Sequence, residues 1–313
     1  MVSSLLLLLL GLPLLTFAAE QLVLGASRTA RRAGISAVTV GVLVIGLGTS
    51  APELLVSGSA AAGGHTGLAV GNLVGSNVIN LTLLLGLAGL MAPVLVRSSV
   101  LRREAPLSVG AVTVFGILLL TGLGLAAGLT LTALLVAVLA WMLRTARTQP
   151  EDILNAETEE FLDSARPHRL PIEITRLILG LAGTLAGTEA LVRGGVDLAS
   201  RFGMSQQLIG FTLVAFGTSL PELVTTVQAQ RHGETDLLVG NLLGSNLINS
   251  LAGGAIIAFT APATLITDSA AVICVMVGVS GLAWALLTRG QRLTRPESAV
   301  LAAAYLVALP LLT

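Results

Sequence analysis

Lysine is absent from this chain: all 17 basic residues are arginine, a bias that reads as GC-rich coding rather than function. Seventeen acids balance them, so the net charge is zero and neither a nucleic-acid nor an acidic partner is implied. A single cysteine, Cys274, excludes an intrachain disulfide and leaves nothing to build a metal–thiolate cluster; it reads as a small core residue. His65, His168 and His232 fall in loops and receive no role. Charged residues of all kinds make up only 11% of the chain, against 54% hydrophobic, with a mean hydropathy of +0.91. A soluble fold cannot hide that much apolar surface, so the composition specifies an integral membrane protein.

Apolar runs of membrane-crossing length recur between short polar breaks. They predict an all-α polytopic protein with ten spans, at 3–25, 35–62, 67–91, 106–123, 127–147, 172–196, 204–230, 236–258, 264–287 and 297–312. The run after Met1 lacks the basic start of a signal peptide and is long enough to span, so it is expected to be the first helix. Fifteen of the 17 arginines lie in or around breaks that follow odd-numbered spans; only Arg193 and Arg201 lie around one that follows an even span. The positive-inside rule then places both termini outside and the 148–171 connector in the cytoplasm of a plasma or inner membrane. That connector holds Glu151, Asp152, Glu157, Glu159, Glu160 and Asp163, and reads as a solvated linker without EF-hand spacing.

The chain also contains itself twice. Between 41–80 and 210–249 about half the positions are identical at an offset of 169, without a gap. Gly48-Thr49-Ser50-Ala51-Pro52-Glu53 returns as Gly217-Thr218-Ser219-Leu220-Pro221-Glu222, and Gly71-Asn72-Leu73 with Gly75-Ser76-Asn77 returns as Gly240-Asn241-Leu242 with Gly244-Ser245-Asn246. Asn80 returns as Asn249. The offset covers five spans, an odd number, so the two copies cross the bilayer in opposite directions, as in secondary transporters built from inverted repeats. The repeats are expected at 1–147 and 172–313, with motif cores at 46–80 and 215–249.

Each repeat places a proline and a carboxylate at membrane depth. Pro52 and Pro221 lack an N–H and should break helices two and seven, freeing carbonyls at Gly46, Gly48, Ala215 and Gly217. Carbonyls, hydroxyls and a carboxylate together make an oxygen cage suited to a hard cation. The plainer alternative, a structural kink whose glutamate pairs with an internal donor, lacks an arginine at comparable depth. On helices three and eight, Ser76 and Asn80, like Ser245 and Asn249, are spaced to share a face. Asn72 and Asn241 read equally as interhelical packing groups. Glu20 and Glu189 fit either a gate or a water-exposed helix end.

With both motifs in both halves, the sequence resembles the alpha repeats of the sodium/calcium exchangers of the calcium/cation antiporter superfamily, in a prokaryotic form without regulatory domains. The resemblance covers effectively the whole chain. It implies ion ligands at Thr49, Ser50, Glu53, Ser76, Asn80, Thr218, Ser219, Glu222, Ser245 and Asn249, with backbone carbonyls at Gly46 and Ala215. It implies Ca²⁺ and Na⁺ as transported ions, the lipid bilayer as surroundings, no cofactor and no obligate protein partner. Some relatives, including potassium-dependent ones, carry Asp where this chain has Asn249. The Gly-Asn-Ala-x-Glu motif of proton-coupled relatives is missing, but a proton/cation antiporter on the same fold stays open, because a buried glutamate can trade a cation for a proton. A channel fits inverted repeats less well than a carrier. An intramembrane enzyme lacks a Ser/His pair, paired aspartates or a thiol beside a base within the spans.

Overall fold

The computed structural model describes residues 2–32, 46–96, 99–148, 170–233, 235–261 and 270–308. Within these the chain is helices joined by short turns, with two two-residue strands, β1 (Val94–Leu95) and β2 (Arg292–Leu293), which pair antiparallel. The helices in order are α1 (Val2–Arg32), α2 (Gly46–Thr49), α3 (Ala51–Ala62), α4 (Thr66–Ile79), α5 (Leu85–Met91), α6 (Ser99–Thr121), α7 (Leu125–Thr148) and α8 (Leu170–Phe202). They continue with α9 (Gln206–Ile209), α10 (Ala215–Thr218), α11 (Leu220–His232), α12 (Thr235–Ile248), α13 (Gly254–Thr260), α14 (Ala270–Gly290) and α15 (Arg295–Ala308). Among the described residues five helical stretches are long and apolar enough to cross a membrane, or six when the pair broken at Ser219 counts as one. Two shorter apolar helices, Val2–Ala18 and Ala105–Thr121, join them. The first part of the expected second span, 35–45, and nearly all of the 148–171 connector lie outside the described residues.

The chain breaks where proline dictates. Ser50 interrupts the path between α2 and α3, and Ser219 does the same between α10 and α11, with Pro52 and Pro221 in the first turn that follows. Proline cannot give an N–H to the carbonyl four residues earlier, so the ladder lapses at Gly48 and Gly217. It resumes at once through Leu54 N–H to the Ser50 carbonyl (3.1 Å) and Leu223 N–H to the Ser219 carbonyl (3.0 Å). The second break bends its span by 44°.

A third irregularity repeats with the sequence. α4 and α12 each pass into a single π-turn, Asn80–Leu84 and Asn249–Gly253, before continuing as α5 and α13. Such turns insert one extra residue and are frequent at functional sites. A further π-turn, Gly210–Val214, joins α9 to α10.

Glycines set how closely the helices approach. α1 and α8 pack antiparallel: Leu22 lies on Gly180, Leu15 on Gly187 and Leu8 on Gly194, and the Ser4 hydroxyl donates to Asp197. In the centre, α4 lies directly on the Gly210–Val214 turn. A Cβ at Gly75 would sit 2.4 Å from the Phe211 carbonyl oxygen, and one at Gly71 2.3 Å from that of Gln207. Both obstacles are backbone and cannot swing away. Gly75→Ala is therefore expected to cost about 1–3 kcal/mol by overpacking, read as a lower midpoint of thermal unfolding in detergent.

The core mixes polar groups with apolar ones, and large apolar side chains also cover the outside. Twelve of the fourteen residues of α4 are buried, several of them polar, whereas Phe17, Leu129, Leu179 and Val300 face outward. An exterior bathed in lipid gives no hydrophobic reason to bury such side chains. Cys274, expected in the core, is exposed on α14 for this reason, since an apolar lipid-facing helix holds a small thiol as readily as a packed interior does.

Candidate functional site

Both motif glutamates are wholly buried, each in the first turn after a helix break. Glu53 receives a hydrogen bond from the Ser219 hydroxyl of the other repeat (3.0 Å), and Thr218 is also within its reach. Glu222 receives one from Ser245 of its own repeat (3.4 Å) and reaches Thr49 of the other. The two carboxylates are close enough to repel one another. Neither has an ion-pair partner among the described residues, where the ion pairs are Arg176–Glu173, Arg193–Glu189 and Arg201–Asp197.

Oxygen atoms around them are left over. Glu53 Oε2, Glu222 Oε2, Ser50 Oγ, Ser76 Oγ and Asn80 Oδ1 are buried without a hydrogen-bond partner, and Asn249 lacks one at both Oδ1 and Nδ2. Leaving a buried polar atom unpaired costs about 1–3 kcal/mol. So many in one place, next to two uncompensated carboxylates, make a set of oxygens that could take up something positively charged.

The structure thus brings together Thr49, Glu53, Thr218, Ser219, Glu222 and Ser245 through direct contacts, and buries Ser50, Ser76, Asn80 and Asn249 completely. Asn80 Nδ2 donates to Asn246 Oδ1 (3.0 Å), so its amide also ties the π-turn after α4 to α12. The expected free carbonyl at Ala215 is partly used: it accepts from Ser219 N (3.0 Å) and Thr218 Oγ1 (3.2 Å). Gly46 opens α2, the short helix that carries Thr49.

Two layers of contact were not foreseen. Asn77 donates to Ser250 (3.0 Å), and Asn246 donates back to the Asn77 carbonyl (2.9 Å), closing a polar seam between the two halves of the chain. Asn72 and Asn241 each reach into the opposite repeat: Thr218 donates to Asn72 Oδ1 (3.1 Å) and Thr49 to Asn241 Oδ1 (3.2 Å). The sequence signal was their position in the repeated motif, but glycine neighbours made packing an equal reading. Glu189 is half exposed and ion-paired with Arg193 on the next turn, which makes it a helix-surface acid. The side chain of Glu20 lies outside the described residues.

Fold and site together define a polytopic membrane protein with an oxygen-rich polar core assembled from two related halves. The family model for the sodium/calcium exchanger protein matches residues 3–144 and 173–313, so the chain belongs to that family. It is 37% identical over 305 residues to the putative antiporter CaxA of Alkalimonas amylolytica, covering 95% of each. It is 39% identical over 245 residues to the inner membrane protein YrbG of Escherichia coli, covering 78% of this chain and 75% of that one. Among solved structures, the sodium-calcium exchanger NCX_Mj soaked with 2.5 mM Na⁺ and 10 mM Sr²⁺ superposes with a TM-score of 0.68 at 28% identity, over 98% of both chains.

Proposed function

We propose that the protein is a secondary antiporter that exchanges Na⁺ for Ca²⁺ by alternating access. The observation that carries this reading is the pair of buried, uncompensated carboxylates, one per repeat, each with an unpartnered oxygen and surrounded by unpartnered neutral oxygens. Two unit charges balance one Ca²⁺ in a setting where leftover charge is costly. The proposed ligands are Glu53 and Glu222, flanked by Thr49, Ser50, Ser76, Asn80, Thr218, Ser219, Ser245 and Asn249, with carbonyls at Gly46 and Ala215. The match to a sodium-calcium exchanger solved with Na⁺ and Sr²⁺ supports the same ions here.

Ten spans in two inverted five-helix repeats, 1–147 and 172–313 with 148–171 between them, are the architecture that fits. Its support is that α8 is the sequence image of α1 and packs against it antiparallel, and that both π-turns fall at equivalent positions. The arginine bias orients the chain with both termini external and the connector cytoplasmic in an inner membrane. The similarity to a protein named for that membrane supports the location.

Gradients decide the coupling. In proteoliposomes with choline replacing potassium on both sides, an outward Na⁺ gradient is expected to drive ⁴⁵Ca²⁺ uptake. An imposed pH gradient is expected to drive none. Uptake that follows protons makes the protein a proton/cation antiporter on the same site, and uptake that collapses without potassium overturns the two-charge count.

A further inference from the structure

Thr49 and Thr218 each have one hydroxyl proton and several acceptors within reach; beside Ser245 Oγ for Thr49 (3.4 Å) and the Ala215 carbonyl for Thr218 (3.2 Å), two kinds bear on the site. One is a carboxylate of the site, Glu222 for Thr49 and Glu53 for Thr218. The other is the amide oxygen of an asparagine in the opposite repeat, Asn241 for Thr49 and Asn72 for Thr218. The choice matters, because a hydroxyl whose proton points into the site cannot offer lone pairs to a cation there.

The hydrogen-bond chains behind the asparagines decide it. Asn72 Nδ2 donates to the Glu53 main-chain carbonyl (3.3 Å) and to Ser57 Oγ (2.9 Å). The first can only accept, and the second has already given its proton to the Ala69 carbonyl (3.2 Å). Asn72 therefore cannot turn its amide over, and its Oδ1 must face Thr218. Asn241 is fixed in the same way by different residues: its Nδ2 donates to Thr225 Oγ1 (3.2 Å), whose own proton is committed to the Pro221 and Glu222 carbonyls (3.0 Å each). An amide orientation is assigned from its network, and here each network ends on a carbonyl, which has no second polarity.

We propose that Asn72 and Asn241 are positioning residues that draw the Thr218 and Thr49 protons out of the site, so that both hydroxyls present lone pairs to the transported cation. The proposal rests on the cation reading of the site and adds a division of labour to it: each repeat orients a ligand belonging to the other. It also explains why two different supporting sets, Ser57 with a main-chain carbonyl and Thr225, serve equivalent asparagines. What is kept is the direction of the bond rather than its partners.

The test is a pair of double-mutant cycles on the half-saturating Ca²⁺ concentration for exchange in proteoliposomes. Asn72→Leu and Thr218→Val should each raise it roughly tenfold, the worth of one lost hydrogen bond, and the double variant should be no worse than either. The mismatched pair Asn72→Leu with Thr49→Val should multiply to roughly a hundredfold. Equal coupling in matched and mismatched pairs, or an unchanged Ca²⁺ requirement in Asn72→Leu, overturns the proposal, because helix packing alone has no reason to single out the opposite repeat's threonine. Thr225→Val is the second arm should Asn72→Leu fail to fold. It leaves Asn241 and Thr49 in place but removes the acceptor that fixes their polarity, and it should weaken Ca²⁺ roughly threefold with little change in maximal rate. No change there also overturns the proposal. Should Glu53→Gln keep full exchange in the same vesicles, it is the cation assignment that fails, a result distinct from either cycle.

Discussion

Glu53→Gln and Glu222→Gln should each abolish calcium exchange while leaving the fold intact. Glutamine has nearly the shape of glutamate, and at position 53 its Oε1 can still accept from Ser219. What is lost is charge. At about 4 Å and an effective dielectric of about 20, one unit charge is worth about 4 kcal/mol to a monovalent ion and roughly twice that to Ca²⁺. A loss of at least a thousandfold in transport follows, since about 1.4 kcal/mol is tenfold. The same variants should behave oppositely when empty: removing a buried charge that has no ion-pair partner relieves a cost of folding. Thermal unfolding in ion-free detergent should therefore move up or stay level in each variant. The rise in midpoint that Ca²⁺ gives the parent protein by binding the native state should disappear. Full ⁴⁵Ca²⁺ uptake by either correctly inserted variant would show that the cation is held elsewhere.

The second large effect is expected at Asn249. Both polar atoms of this side chain are buried without a hydrogen-bond partner, whereas its repeat image Asn80 donates to Asn246. Asn249 is thus the polar group of the site most open to a guest. Asn249→Asp would add a third carboxylate and leave the calcium-loaded site one unit negative, a charge that a monovalent cation can neutralise. Calcium exchange, expected to be independent of potassium in the parent protein, is expected to become stimulated several-fold by it in the variant. The check is ⁴⁵Ca²⁺ uptake with potassium titrated against choline. If Asn249 only packs helices, the variant loses stability and its ion preference does not move.

Much of the frame was legible in advance because it depends on local chemistry. Pro52 and Pro221 cannot sit inside an unbroken helix, and the breaks fall beside them at Ser50 and Ser219. Span ends were close where a polar break marked them, as for 67–91 against the observed Thr66–Met91. They were less close at α8, which runs six residues past the expected 196 to Phe202, because the arginines and acids near its end pair along its own surface and keep it helical. The π-turns at Asn80 and Asn249 had no sequence signal, since nothing in a residue's own propensity asks for an extra residue there. The roles of Asn72 and Asn241 were equally hidden: their oxygens are engaged by residues 146 and 192 positions away. Exposure was misjudged at Cys274 because hydropathy separates inside from outside only when the outside is water.

The crossed bonds between the repeats also have a consequence in time. Ser219, which caps the Glu53 carboxylate, lies 166 residues downstream of it. Synthesis at about 5–20 residues per second delays its arrival by roughly ten to thirty seconds. Until it arrives, the part of the chain already made holds an acid and a threonine whose partners in the second half do not yet exist. The nascent half therefore cannot close over its own polar face. It must wait beside water or the insertion machinery, and the last step of assembly is the docking of two half-finished surfaces rather than the completion of either one.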